Sequence, residues 1–347
     1  MKHLFVFRWL TFPFRYAFSK IKKKIGKLDR LRLEVFLVIG NGSQVFLKGR
    51  VMEAYRQSRP SEKKSALQNI LATIRRYAGS SVPDANVKVQ WGNYGVQLTA
   101  DSEGIFESFL HRSDLEEPHP KTIRLSLVPE EGLVPEKPWV DRKIQQIVKP
   151  SPRALISDID DTVIISKATN LGEKLWLSVS KNAYTRRPFP GVSEFYQLLT
   201  HDGEYPVFYV SSSDWNLFDL IRDFLTFRSI PLGPILLKDR HVNLRNIWKS
   251  GGGNHDHKLE KIRFLMEFFP EQQFLLIGDS GQHDPELYAE VIRDFPGRIE
   301  AVVIRRVRKE DVAREEKLNR LLPPNKVAWV KTTREALDHA KEYFSVS

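Results

Sequence analysis

The chain has 347 residues, no cysteine and a formal charge of +11. That length admits two domains with separate cores, and the missing cysteine excludes disulfides and zinc–thiolate sites. The charge is local: residues 1–30 carry nine lysines and arginines against Asp29 alone, leaving only +3 for the rest, so no nucleic-acid-binding body is expected.

In chain order, residues 1–30 form a basic, aromatic-rich segment that begins "MKHLFVFRWLTFPFRYAFSKIKKKIGK". Arg8, Pro13 and Arg15 interrupt its apolar run, which is too short and charged to span a bilayer. It lacks the small-residue cleavage site of a signal peptide. Phe, Trp and Leu beside clustered lysines suit the interface of an anionic membrane, where each basic residue contributes roughly 1 kcal/mol. A disordered leader, or a helix packed on the body, is the alternative. The expected location is cytoplasmic, peripheral on the inner face of a membrane.

Residues 31–135 predict a smaller, mainly-β, sandwich-like domain. "LRLEVFLVIG" and "QVFLKGRVM" are strand-like runs joined by the turn signal "NGS". "NVKVQW", "YGVQLTA", "GIFESFLH" and "KTIRLSLVP" continue the pattern. Between the two sets, Leu67, Ile70, Leu71 and Ile74 have helical spacing. The stretch "QLTADSEGIFESFL" resembles the turn of transthyretin-like β-sandwich domains, with Ala100 inserted between Thr99 and Asp101. Nothing in this half has catalytic spacing. Residues 136–153 shift to proline and mixed charge and read as a linker.

From 154 to 347 apolar runs alternate with helix-like segments, from "RALIS" and "VSEFYQLL" to "KVAWVK" and "REALDHAKEYF". This alternation predicts an α/β domain with a doubly wound parallel sheet covered on both faces. In such folds the chemistry lies at the carboxyl ends of the strands. After "ALIS" come Asp158, Asp160, Asp161 and Thr162; after "VFYV" come Ser211, Ser212, Ser213 and Asp214; after "FLLI" come Asp279 and Asp284. Lys258 opens the helix that feeds the last of these strands.

Carboxylates, hydroxyls and a lysine on one rim point to metal-assisted phosphoryl transfer. A carboxylate can attack phosphorus covalently, and a second can protonate the leaving oxygen and then activate water. Magnesium takes a few carboxylate oxygens and keeps several waters. The hydroxyl and the lysine can bind phosphoryl oxygens as charge shifts.

"DIDDT", the serine after "VFYV", a helix-borne lysine and "GDSGQHD" resemble, in order, the four motifs of the haloacid dehalogenase superfamily. With "PFPGVSEFYQLL" and "FLLIGDSGQHDPELY", residues 150–310 resemble the catalytic domain of the actin-patch type of magnesium-dependent phosphatidate phosphatase. The resemblance implies Asp158 as nucleophile, Asp160 as general acid/base, and Ser211 and Lys258 as phosphate ligands, with Thr162 and Ser212 as further substrate-binding candidates. It implies a magnesium ion held by Asp158, the backbone oxygen of Asp160, Asp279 and Asp284. Lys238 in "ILLKD" competes with Lys258, and Ser212 and Ser213 are candidates to share the role of Ser211. Asp161 reads either as a solvated turn residue or as an outer partner of the metal. "HDH" at 255–257, beside "GGGN", reads as a surface loop rather than a metal site.

In the superfamily that the motifs resemble, larger insertions between the first two motifs form caps over small soluble substrates. The short one here implies an open site, suited to a substrate embedded in a surface. Arg186 and Arg187 there are candidates for an anionic head group, and Trp176 for lipid contact; a solvated turn and a core tryptophan are the bland alternatives. The expected activity is hydrolysis of phosphatidate to diacylglycerol and phosphate. The alternatives are a soluble or protein-bound phosphomonoester substrate, and a non-catalytic adaptor.

Overall fold

The computed structural model describes residues 30–54, 81–114, 120–129, 134–147, 153–164, 188–238, 256–307 and 312–345. The helix expected over 61–79 and residues Trp176, Arg186 and Arg187 lie outside them, as do residues 1–29. The chain divides into two compact units, one ending at Val148 and the other continuing from Lys149 to Ser347. Among the described residues no helix is long and apolar enough to cross a membrane.

The first unit is a sandwich of two sheets. One has the order β5(Ile105–His111), β2(Gln44–Glu53), β1(Arg30–Gly40), β7(Val134–Pro135), with β9(Gln145–Gln146) also on β1. The other has the order β4(Tyr94–Thr99), β3(Asn86–Trp91), β6(Thr122–Leu127), β8(Val140–Lys143). In β3 buried Val87, Val89 and Trp91 alternate with exposed neighbours, the period of a half-buried strand. They join Leu47, Val51 and Phe106 of the first sheet in one core. The "NGS" turn forms as expected, with Asn41 Oδ1 accepting from the Ser43 and Gln44 amides at 3.1 and 3.0 Å. Residues 140–146, which read as part of the linker, instead form β8 and β9. Strands of four and two residues are too short to show alternation in sequence.

The second unit has the six-stranded order β12(Ile235–Lys238), β11(Val207–Asp214), β10(Leu155–Ser157), β13(Phe274–Asp279), β14(Ile299–Arg305), β15(Val327–Val330), with every pairing parallel. The strands are mainly apolar in their buried runs, such as Val207–Val210 and Phe274–Ile277, because helices cover both faces. On one face α1(Val192–Leu199) packs on α6(Thr333–Ser345). On the other α3(Asp256–Phe268), α4(Asp284–Asp294) and α5(Val312–Asn319) pack in turn, while α2(Phe218–Phe227) contacts β12.

The fold class expected for this half is thus the one found. The order of connection reverses between β10 and β13. That is where a crevice opens beyond the carboxyl ends of the strands.

Candidate active site

Parallel pairing sets Ser157 opposite Ile277, and the Asp158 amide donates to the Ile277 carbonyl at 2.8 Å. The two acidic strand ends therefore start side by side. After Asp158 the chain folds back on itself. The Val163 and Ile164 amides donate to the Ile159 carbonyl at 2.9 and 3.0 Å, while buried Ile159, Val163 and Ile164 anchor the turn. Asp161 occupies its left-handed position, at φ 59°, a conformation that Asp tolerates better than most residues.

Asp158, Lys258, Asp279 and Asp284 are all buried, none more than 5% exposed. Lys258 Nζ lies 2.7 Å from Asp158 Oδ1 and 2.7 Å from Asp284 Oδ1. The contact with Asp284 is a hydrogen bond. The contact with Asp158 is an ion pair of the same length, and Lys258 is the partner of the buried Asp158 Oδ1. Asp284 Oδ2 accepts the Asp279 amide at 3.1 Å. Asp279 Oδ1 accepts the amides of Gly281 and Gln282 at 2.6 and 3.0 Å. Gly278 permits this crowding: a Cβ there would lie 2.6 Å from Asp284 Oδ2 and 2.7 Å from the Tyr288 hydroxyl.

Burial and mutual repulsion govern the charges. Asp158 is held well above the usual carboxylate range by desolvation, opposed by Lys258 and reinforced by Asp284, Asp279 and Asp160. Asp279 is pushed up to about 6 by burial and by Asp284. Burial would lower Lys258, yet Asp158 and Asp284 together hold its ammonium above the ordinary lysine value.

The expected residues are not all placed alike. Ser211 and Ser213 each donate to Asp160 Oδ2, both at 3.1 Å, with Ser212 between them in the strand. Thr162, a substrate-binding candidate, is buried and donates to Asp158 Oδ2 at 3.3 Å. Lys238 ends β12, at the sheet edge, two strands from β10. His257 lies near the start of α3 beside Glu260, at 3.8 Å.

Two contributors went unread in the sequence. Gln282 Nε2 donates to Asp158 Oδ2 at 3.3 Å, the Asp160 carbonyl at 3.3 Å and Asp279 Oδ2 at 3.1 Å. Tyr196 of α1 shares a 2.5 Å hydrogen bond with Ser157, whose hydroxyl donates to the Asp158 carbonyl at 2.7 Å. Gln282 was within reach of sequence reasoning, since it stands between Asp279 and Asp284. Tyr196 carried no local signal, being one apolar-face residue of an amphipathic helix.

The donor set fits a divalent cation. Asp158, Asp279 and Asp284 each offer an oxygen, all within 4.8 Å of one another and all on buried side chains. Oxygen-only ligation suits a hard cation.

Comparison with known proteins places this site in a recognisable segment. Residues 153–306 match the family described as "Phosphatidate phosphatase APP1, catalytic domain". The chain is 32% identical over 158 residues to Phosphatidate phosphatase APP1 of Saccharomyces cerevisiae, covering 46% of this chain and 26% of that protein. It is 30% identical over 159 residues to an uncharacterized protein of Schizosaccharomyces pombe, covering 44% and 25%. The match thus spans about a quarter of the length of these curated relatives. Among solved structures, a haloacid dehalogenase-like hydrolase from Burkholderia xenovorans aligns at TM-score 0.36 and 14% identity, covering 56% of this chain and 99% of that one, too distant to bear on the fold. The resemblance carried by the four motifs is therefore a measured one: over residues 153–306 this chain is similar to the catalytic domain of APP1 phosphatidate phosphatases.

Proposed function

We propose that this chain is a magnesium-dependent phosphatidate phosphatase that forms an aspartyl-phosphate on Asp158. The observation that carries the reading is Lys258, 2.7 Å from both Asp158 and Asp284, within a segment similar to the APP1 catalytic domain. The Lys258 ammonium opposes the desolvation that raises the Asp158 carboxyl.

In the first step a carboxylate oxygen of Asp158 bonds to phosphorus while the bond to the lipid oxygen breaks. Asp160 delivers its proton to that departing oxygen, leaving diacylglycerol. In the second step Asp160 takes a proton from water, whose oxygen bonds to the same phosphorus. The bond to Asp158 then breaks and inorganic phosphate leaves. Lys258 and Ser211 hold the phosphoryl oxygens through both steps, and Thr162 orients Asp158. Asp158, the Asp160 carbonyl, Asp279 and Asp284 would hold magnesium, which supplies positive charge opposite the phosphoryl oxygens. The basic residues 1–30 dock the enzyme on an anionic bilayer, where its substrate lies.

Phosphate release from phosphatidate vesicles tests the reading. Release that requires magnesium, and that falls on the order of 10³-fold or more in Asp158→Asn, is the expected result. No release at any magnesium concentration, or full release by Asp158→Asn, overturns it. Faster release from soluble phosphomonoesters, without vesicles, selects the alternative substrate class. Raising the salt in the same assay should weaken vesicle binding, since exposed charges are screened over about 8 Å at physiological ionic strength.

A further inference from the structure

The three oxygens that Gln282 Nε2 reaches come from three different parts of the site. They are a side-chain oxygen of Asp158, a side-chain oxygen of Asp279 and the backbone carbonyl of Asp160, at 3.1–3.3 Å. An amide nitrogen has two hydrogens and cannot satisfy three acceptors fully. Its position in their midst reflects the attraction of a donor to a concentration of negative charge. A cation held by these oxygens would compete with the amide for them.

The backbone beneath this side chain is pinned. The Gln282 amide donates to Asp279 Oδ1 at 3.0 Å. Arg314 donates to the Gln282 carbonyl and, at 2.6 Å, to the Ser280 carbonyl, and it pairs with Glu286. The loop is thus held from both sides, whereas the Gln282 side chain is only partly buried.

We propose that the Gln282 side chain gates the cation site: its amide holds the three oxygens together without metal and rotates away when metal binds. The inference rests on the proposed metal-dependent reading of this site. It predicts two opposite effects of removing the amide. The metal-free protein loses a tie between repelling groups, and the cation loses a competitor.

The test uses the full chain treated with chelator and dialysed. Magnesium and manganese binding are measured by titration calorimetry, and melting is measured before metal is added. Gln282→Met keeps the bulk without the donor, and Gln282→Ala removes both. Both variants should bind either cation about three- to tenfold tighter, the net contribution of one typical hydrogen bond. Without metal, both should melt a few degrees below the parent chain. Binding that is unchanged or weaker in both variants overturns the gate, since a purely structural or a ligating Gln282 would lower affinity along with stability. Absence of cation binding by the parent chain overturns the gate together with the proposed function, whereas a parent chain that binds metal no less tightly than its variants overturns the gate alone.

Discussion

Asp101 in the sandwich and Asp279 in the parallel-sheet unit sit at equivalent local positions. Asp101 follows β4 and accepts the amides of Glu103 and Ile105 at 2.8 and 2.9 Å. Asp279 ends β13 and accepts those of Gly281 and Gln282 at 2.6 and 3.0 Å. Both are strand-end aspartates that cap a turn with one oxygen. Asp101 is exposed, and the residue serves as a turn device. Asp279 is fully buried beside Asp284 and Asp158, so its second oxygen meets other protein groups. Turn chemistry makes the shape, and burial among like charges makes the site.

The largest expected effect breaks the charge balance that permits this burial. Lys258→Met leaves Asp158 and Asp284 buried without their cation, and should cost about 3–5 kcal/mol of unfolding free energy in chelator. The same change at Lys48 of the sandwich should cost less, because its partner Glu107 is 55% exposed and water takes over. Denaturant unfolding of both variants measures the difference, and equal costs would erase the contrast between the units.

Asp279→Asn should act in the opposite sense. The Asp279 carboxyl, ordinarily at 3.8, is pushed up to about 6 in the fold, so the folded site binds its proton more tightly than the unfolded chain does. Its stabilising contribution is full below pH 3.8 and is lost as pH rises through about 6. In chelator the Asn variant should therefore match the parent at low pH and exceed it by up to about 3 kcal/mol above about pH 6. Melting both proteins from about pH 3.5 to about pH 7.5 checks the sign. A variant that is less stable at neutral pH would show that Asp279 is not strained by its neighbours.

The smallest effect sharpens the comparison at the level of one methyl group. Gly278→Ala sets a Cβ 2.6 Å from Asp284 Oδ2, and should cost about 1–3 kcal/mol with a loss of phosphate release. Gly95→Ala in β4 meets only the Val89 carbonyl, at 3.9 Å, and should stay within about 0.5 kcal/mol. Thermal melts of the pair read the contrast directly.

Much of this molecule was legible in the sequence. β3 announced itself through Val87, Val89 and Trp91, and the parallel strands through unbroken apolar runs such as "FLLIGD". The strand-end position of Asp158 and Asp279 followed from the same runs. Short strands escaped, as β8 and β9 did, because period needs length. Tyr196 escaped because its hydroxyl partner, Ser157, is distant in the chain.

The order of residues alone determined the fold class and the strand-end segments that carry the chemistry, since periodicity and turn residues are local properties. Only the tertiary structure decided that Lys258 rather than Lys238 faces Asp158, that Ser213 joins Ser211 on Asp160, and that Gln282 reaches three oxygens at once. Those outcomes depend on which strands become neighbours. β10 lies beside β13 while Lys238 ends an edge strand, and the free energy of burying charge together is set by that adjacency, not by spacing along the chain.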